Sequence, residues 1–162
     1  SVREMSRFIA EQLYTRYQYQ RYRPLARPVP LHDGQQRMER RGNLNPNDEV
    51  GDVLNQGTLG IGFIGGHNAM MALYGQGHGH SKKAWNTLYK AIEVMNQVAE
   101  EYKQKYHLNY SVLATPAEGL SGRFTRMDRR KYGIIPGVTD NDYYVNSFHV
   151  DVKRAHHHPP RR

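Results

Sequence analysis

Thr115, Pro116, Ala117, Glu118, Gly119, Leu120 and Ser121 follow one another in the chain, and their types suit the binding of an anion. Thr115 can cap a helix, Pro116 suits the first helical position, and Glu118 completes a capping box three residues after the threonine. A helix that starts there points unbonded backbone N–H groups outward, and those groups, with the helix dipole, hold phosphate. Gly119 and Gly122 allow a ligand close to the backbone, and Ser121 adds a hydroxyl. A capped helix start with no ligand accounts equally well for Thr115, Pro116 and Glu118. The run alone leaves both readings open.

Other residue groups suggest chemistry less specifically. Gly60-x-Gly62-x-x-Gly65 matches a loose dinucleotide fingerprint. Its glycines lie inside an apolar run instead of following it, and no acidic residue closes a second strand at the expected distance. A buried strand packed closely against another backbone fits better. Arginines and tyrosines interleave from Tyr14 to Arg23, a mixture that can stack bases and neutralise phosphate. A helix with packed tyrosines and solvated arginines is the favoured reading, and no nucleic acid is expected as a partner. Basic residues crowd Arg21–Arg41 and again Arg123, Arg126, Arg129, Arg130 and Lys131, giving a formal net charge of +8. Solvated surface is the expectation for both clusters. His156, His157 and His158 form a weak metal motif inside a stretch without apolar period, so no metal site is expected.

The chain has no cysteine. That excludes disulfides, thiolate metal sites and a thiyl radical carried on these residues. Its 162 residues suffice for one compact domain. A mean hydropathy of −0.84 is low for a self-sufficient globule. There is no apolar run long enough for a membrane helix and no signal-like N-terminus, so a cytoplasmic chain with no membrane partner is expected.

These residues need elements to position them. Met5, Phe8, Ile9, Leu13 and Tyr17 recur at helical spacing and predict an amphipathic helix from Val2 to about Tyr22. Arg23-Pro24 should end it, with Pro28 and Pro30 extended, residues 32–48 in a loop and a turn or helix start at Asn45–Asp48. Leu59, Ile61 and Phe63 alternate and predict a strand. His67–Leu73 reads as a short helix ended by the loop Gly75–Gly79. Ser81 should cap a long helix, since Trp85, Leu88, Ile92, Met95, Ala99, Tyr102 and Tyr106 repeat without a break. Asn109–Thr115 predicts a second strand leading into the Thr115–Ser121 run, and Tyr143–Val152 a further one. Strands alternating with helices predict an α/β protein with a parallel sheet or barrel, and a right-handed crossover if the strands share a sheet. Residues 1–153 are expected to form one partial domain, and 154–162 a disordered or non-native tail.

Three blocks resemble one family. Thr115-Pro-Ala-Glu-Gly-Leu-Ser-Gly-Arg-Phe124 is very similar to a run in the anaerobic (class III) ribonucleotide reductases. Gly57-Thr-Leu-Gly-Ile-Gly-Phe-Ile-Gly65 resembles a second run. Gly133-Ile-Ile-Pro-Gly-Val-Thr-Asp140 with Tyr143-Tyr-Val-Asn-Ser-Phe-His-Val150 resembles a third. Order and spacing match as well, and the Thr115–Phe124 block argues against the alternative of a pyruvate formate-lyase relative. The resemblance implies a portion of a ten-stranded α/β barrel of the glycyl radical type, and reduction of ribonucleoside triphosphates to deoxyribonucleotides. It implies a glycyl radical installed by a separate iron–sulfur activating enzyme with S-adenosylmethionine, and formate as reductant. A piece of a barrel exposes sheet edges and a face meant for missing neighbours, so self-association into a homo-oligomer is expected. It implies that Thr115 to Ser121 hold substrate phosphates. The relay cysteine is expected upstream of Ser1 and the radical glycine downstream of Val152, so these residues alone should carry no catalytic group. Gly66-His-Asn-Ala-Met70 departs from the family, where a Leu-Ala-Glu-like stretch is commoner.

Overall fold

The structure is a computed structural model and describes residues 1–21, 54–55, 57–115 and 118–145. The elements are α1 (Val2–Arg21), β1 (Thr58–Phe63), α2 (Gly66–Tyr74), α3 (Lys82–Tyr106), β2 (Asn109–Ala114) and α4 (Glu118–Tyr132). β1 and β2 are direct neighbours and run parallel, in register from Thr58↔Asn109 to Phe63↔Ala114. The expected α/β arrangement is therefore present, with both strands and the long helix at the places their periodicity indicates. The expectations for the segment from 22 to 53, for Pro116 and Ala117, and for everything from 146 onward lie outside the described residues.

Local signals explain each boundary. The Ser81 hydroxyl accepts the Ala84 N–H at 3.3 Å and caps α3. His107, at φ 53°, closes the helix by returning its N–H to Lys103 O. Gly75, at φ 67°, ends α2 in the same left-handed way. At the other end of α2, Gly65 at φ 73° makes the turn from β1 into the helix, a conformation that strains any side-chain-bearing residue.

One face of the sheet carries Leu59, Ile61 and Phe63 beside Tyr110, Val112 and Ala114. α1 and α3 pack on that face, and Ala10, Ile61, Val98, Ala99, Tyr102 and Tyr110 form the core there. A second small core joins α2 to the first half of α3 through Met70, Ala84 and Leu88. Among the described residues the other face of the sheet is nearly bare. Its side chains come from Thr58, Ser111, Asn109 and Leu113, set beside Gly60 and Gly62. A Cβ on Gly60 would stand 2.1 Å from Leu113 Cδ2, and one on Gly62 3.1 Å from the Thr115 methyl. These glycines make room for the side chains of Leu113 and Thr115; the expected close approach of another backbone is not seen among the described residues, and Gly62 is exposed.

Three expected core residues lie outside the core. Met5 and Phe8 are 60% and 61% exposed, and Trp85 is 51% exposed. The buried lines are instead Ser6, Ala10 and Tyr17 on α1, and Ala84, Leu88, Ala99 and Tyr102 on α3. Spacing alone admits both Ala84 and Trp85 before Leu88. The closely packed α2 takes the smaller one, and Trp85 stacks outside on Tyr89 at 5.2 Å. On α1, small residues let the helix approach the sheet closely enough for Tyr110 to donate its hydroxyl to Ala10 O at 3.1 Å.

α1 and α3 are joined by a polar cluster along one side of this core. The Glu11 carboxylate accepts Tyr102 OH, Tyr106 OH and Lys105 Nζ, each at 2.8 Å. The rings of Tyr14 and Tyr106 stack at 3.7 Å. Tyr17 is buried and donates to Asn55 Oδ1. In the Tyr/Arg run Tyr17 is thus buried and Tyr14 half-buried, as the packed-helix reading expects, while Tyr19 and Arg16 are exposed.

Hydrogen bonds from Lys105, Tyr106 and Tyr102 hold the Glu11 carboxyl well below its ordinary 4.5, at about 2. Burial, followed by the bond to Glu11, pushes the Tyr102 phenol from 10.0 up to about 12. A depressed carboxyl stabilises the fold above its unfolded value and loses that contribution as pH falls through the folded value. A raised phenol does so below its unfolded value and loses it as pH rises. Thermal melting should thus weaken as pH falls from 4.5 toward 2 and as it rises from 10 toward 12. Glu11→Gln should flatten the acid limb, and an unchanged limb would assign acid sensitivity elsewhere. In urea denaturation, Gly65→Ala should cost about 1–2 kcal/mol through its left-handed backbone. Gly60→Ala should cost less than about 1 kcal/mol, because the clashing Leu113 terminus is part-exposed and can rotate away.

Candidate functional site

The parallel register brings the C-terminal ends of β1 and β2 together at Phe63 and Ala114. Two helices begin beyond that edge, α2 at Gly66 and α4 at Glu118. In open parallel sheets this edge is where ligands bind, because helix N-termini and their free N–H groups collect there.

The Thr115–Ser121 run lies at this edge. Thr115 is half-buried, with its methyl over Gly62. Pro116 and Ala117 fall outside the described residues, so the expected capping box with Glu118 does too. The described helix begins at Glu118. Gly119 is exposed, and a Cβ built on it would meet nothing within 4 Å. Leu120 is exposed. Ser121 is buried, and its hydroxyl donates to Tyr144 O at 2.7 Å. It therefore anchors the first turn of α4 and does not present its hydroxyl to solvent. Gly122 lets the following loop approach, since a Cβ there would stand 3.4 Å from Asp142 O.

That loop, residues 133–145, is laid back along α4 by polar bonds. Arg129 donates from Nε to Thr139 O at 2.7 Å and from Nη2 to Asn141 O at 2.6 Å. Tyr144 OH donates to Asp128 Oδ2 at 2.7 Å. Burial first, and the bond to Asp128 second, hold this phenol above its ordinary range and keep it protonated. Thr139 is buried and its hydroxyl both donates to Gly133 O and accepts Ile135 N–H, each at 2.7 Å. Asp140 accepts the Gly137 N–H at 2.8 Å. Asn68, at the start of α2, reaches the same loop at Gly137 and Val145. The expected strand from Tyr143 has no ladder in its described part. Val145 instead bonds to Asn68 and to the Gly65 N–H.

Solvated surface is the expectation for Arg129 together with Arg123, Arg126, Arg130 and Lys131. Arg129 is instead half-buried and holds two carbonyls, whereas the other four are exposed. No sequence signal separates it from its neighbours, because its partners lie in a loop that helical spacing does not predict. Asn68 and Tyr144 carry no such signal either. Arg123 and Arg126 are exposed on the first turns of α4, where they add positive potential near Gly119.

Chemically, the described part of this edge can bind and orient an anion. Asp128 and Arg129 are engaged in holding the loop. Among the described residues no group of three His, Cys, Asp or Glu could hold a metal ion, and no helix is long and apolar enough to cross a membrane.

Comparison with known proteins supplies the family. The family model described as anaerobic ribonucleoside-triphosphate reductase matches residues 1–159. The chain is similar to the anaerobic ribonucleoside-triphosphate reductase of Escherichia coli K12, 36% identical over 114 residues, covering 68% of this chain and 16% of that protein. It is similar to that of Haemophilus influenzae, 34% identical over 116 residues, with 68% and 16% covered. The enzyme of the same name from Enterobacteria phage T4 is 31% identical over 112 residues, with 68% and 17% covered. The chain thus spans about a sixth of the length of these relatives. With a family model covering nearly all of its residues, the chain belongs to the anaerobic ribonucleoside-triphosphate reductase family.

Proposed function

We propose that this chain is a central piece of the catalytic α/β barrel of an enzyme that reduces ribonucleoside triphosphates to deoxyribonucleoside triphosphates for DNA synthesis. Within it, Thr115, Pro116, Ala117, Glu118, Gly119, Leu120 and Ser121 form the phosphate end of the substrate site. The observation that carries the reading is the position of this run. It joins the end of a parallel strand to a helix start, beside a second strand end, with Gly119 open to a ligand.

The bare sheet face supports the barrel. Parallel sheets are ordinarily covered on both faces, yet among the described residues Gly60, Gly62 and Ser111 have only Leu113, Thr115 and one another there. In a ten-stranded barrel that face turns inward, toward the reacting centre. The cysteine that relays the radical belongs to another part of the polypeptide, since this chain has no cysteine, and the family resemblance places the radical glycine there as well. Formate supplies the electrons, and a separate iron–sulfur enzyme using S-adenosylmethionine installs the radical. The whole enzyme acts in the cytoplasm as a homo-oligomer.

The part these residues play is electrostatic and positional. Backbone N–H groups at the start of α4 and the dipole of that helix favour a bound anion by about 0.3–2 kcal/mol. Orientation of the triphosphate then places the ribose at a fixed distance from the barrel interior.

Gly119→Val in the full-length enzyme should raise the dissociation constant for ribonucleoside triphosphate, with circular dichroism little changed. The β-branched side chain fills the open approach to the backbone. Unaltered affinity with an intact helix would leave only a capped helix start. Residues 1–162 alone, given activase, S-adenosylmethionine and formate, should form no deoxyribonucleotide, because hydrogen abstraction from the ribose needs a thiyl. Product formation by this chain would overturn the assignment of the relay to another segment.

A further inference from the structure

Asn68 is 2% exposed and sits in the first turn of α2, remote in sequence from Thr115–Ser121. Its amide spans two points of the 133–145 loop. Nδ2 donates to Gly137 O at 3.0 Å, and Oδ1 accepts the Val145 N–H at 2.8 Å. Val145 is held from a second direction, where its carbonyl accepts the Gly65 N–H at 2.8 Å. One residue earlier, Tyr144 O accepts the Ser121 hydroxyl at 2.7 Å. Hydrogen bonds and two residues of backbone thus connect the first turn of α2 to the first turn of α4.

α4 depends on such bonds. Its apolar residues Leu120, Phe124 and Met127 are exposed, and its inward side is polar, with Ser121 and Thr125 buried. Among the described residues, apolar burial therefore does not set where its first turn lies. Polar bonds do, and they are directional.

We propose that Asn68 is a positioning residue for the phosphate loop: through Val145 and Tyr144 it sets the first turn of α4 relative to the ends of β1 and β2. The proposal rests on the phosphate reading of Thr115–Ser121. The position requires one donor and one acceptor on the same side chain, which an amide supplies and a carboxylate does not. A misplaced first turn misdirects several N–H groups at once, so the loss should appear in phosphate binding and not in binding of the base or ribose.

The test uses Asn68→Leu, Ser121→Ala and their double variant in the full-length enzyme. Equilibrium dialysis compares a ribonucleoside triphosphate with its nucleoside. Each single variant should weaken triphosphate binding by on the order of tenfold, with nucleoside binding unchanged. The double variant should lose little more than the larger single loss, because both residues act through one strap. Equal weakening of both ligands would mean general loosening and would overturn the proposal, as would unchanged triphosphate affinity. If Asn68→Leu does not fold, Asn68→Asp decides, since it keeps the volume and the acceptor but removes the donor to Gly137 O. Gly119→Val separates the two readings. If it weakens triphosphate binding while Ser121→Ala and Asn68→Leu do not, the positioning role falls and the phosphate loop stands. If it too has no effect, the phosphate loop falls and the positioning role with it.

Discussion

Because β1 and β2 run parallel in the register Thr58↔Asn109 to Phe63↔Ala114, the chain leaves both strands at the same edge. Everything at the candidate site follows from that shared exit. α2 and α4 both start there, so their positive ends lie on one side of the sheet. The loop after α4 can then return to this edge and meet both first turns, which it does at Ser121, Gly65 and Asn68. An antiparallel pair would put one helix start at each end of the sheet and separate these residues.

The rest of the molecule supports this edge from behind. α1 carries Ala10 into the core and Glu11 onto the side of α3, where three donors converge on one carboxylate. The surface pair of Arg7 with Glu101, at 3.1 Å between exposed side chains, adds little to this. What matters more is Tyr110, which is fully buried on β2 and bonds to the α1 backbone at Ala10. One residue thus touches the sheet, α1 and the ring of Tyr102 on α3.

Elements and their type were legible where a period runs without interruption. α3, β1 and β2 lie where the three-and-four or alternating pattern places them. The face of a helix was less legible. Trp85 and Ala84 both satisfy the spacing to Leu88, and the choice depends on how near α2 comes. Met5 and Phe8 fit the α1 period yet face outward, while the small Ala10 is the residue that meets the sheet, at Tyr110. At the site, what was legible is the strand end and helix start on either side of the run, with β2 ending at Ala114 and α4 beginning at Glu118. Asn68, Arg129 and Tyr144 were not, because each acts across a gap in sequence that has no period. The burial of Ser121 has the same cause, since its acceptor is a backbone carbonyl 23 positions away.

The sheet register also dictates an order of assembly. Each β1 residue pairs with a partner about fifty positions further along, and closing so long a loop costs chain entropy before any contact repays it. α3 forms from local contacts, capped at Ser81 and His107, and helices of this kind appear within about a microsecond. Once formed, its rigid rod replaces half of the flexible loop and carries Tyr102 and Val98 to where both strands must land. The strands then register on a surface already present, while Asn68 and Ser121 can find the returning loop only after both strands are in place. The bonds of Asn68 and Ser121 to the returning loop are therefore the last this part of the chain can form on folding, and the first it loses when the sheet edge opens.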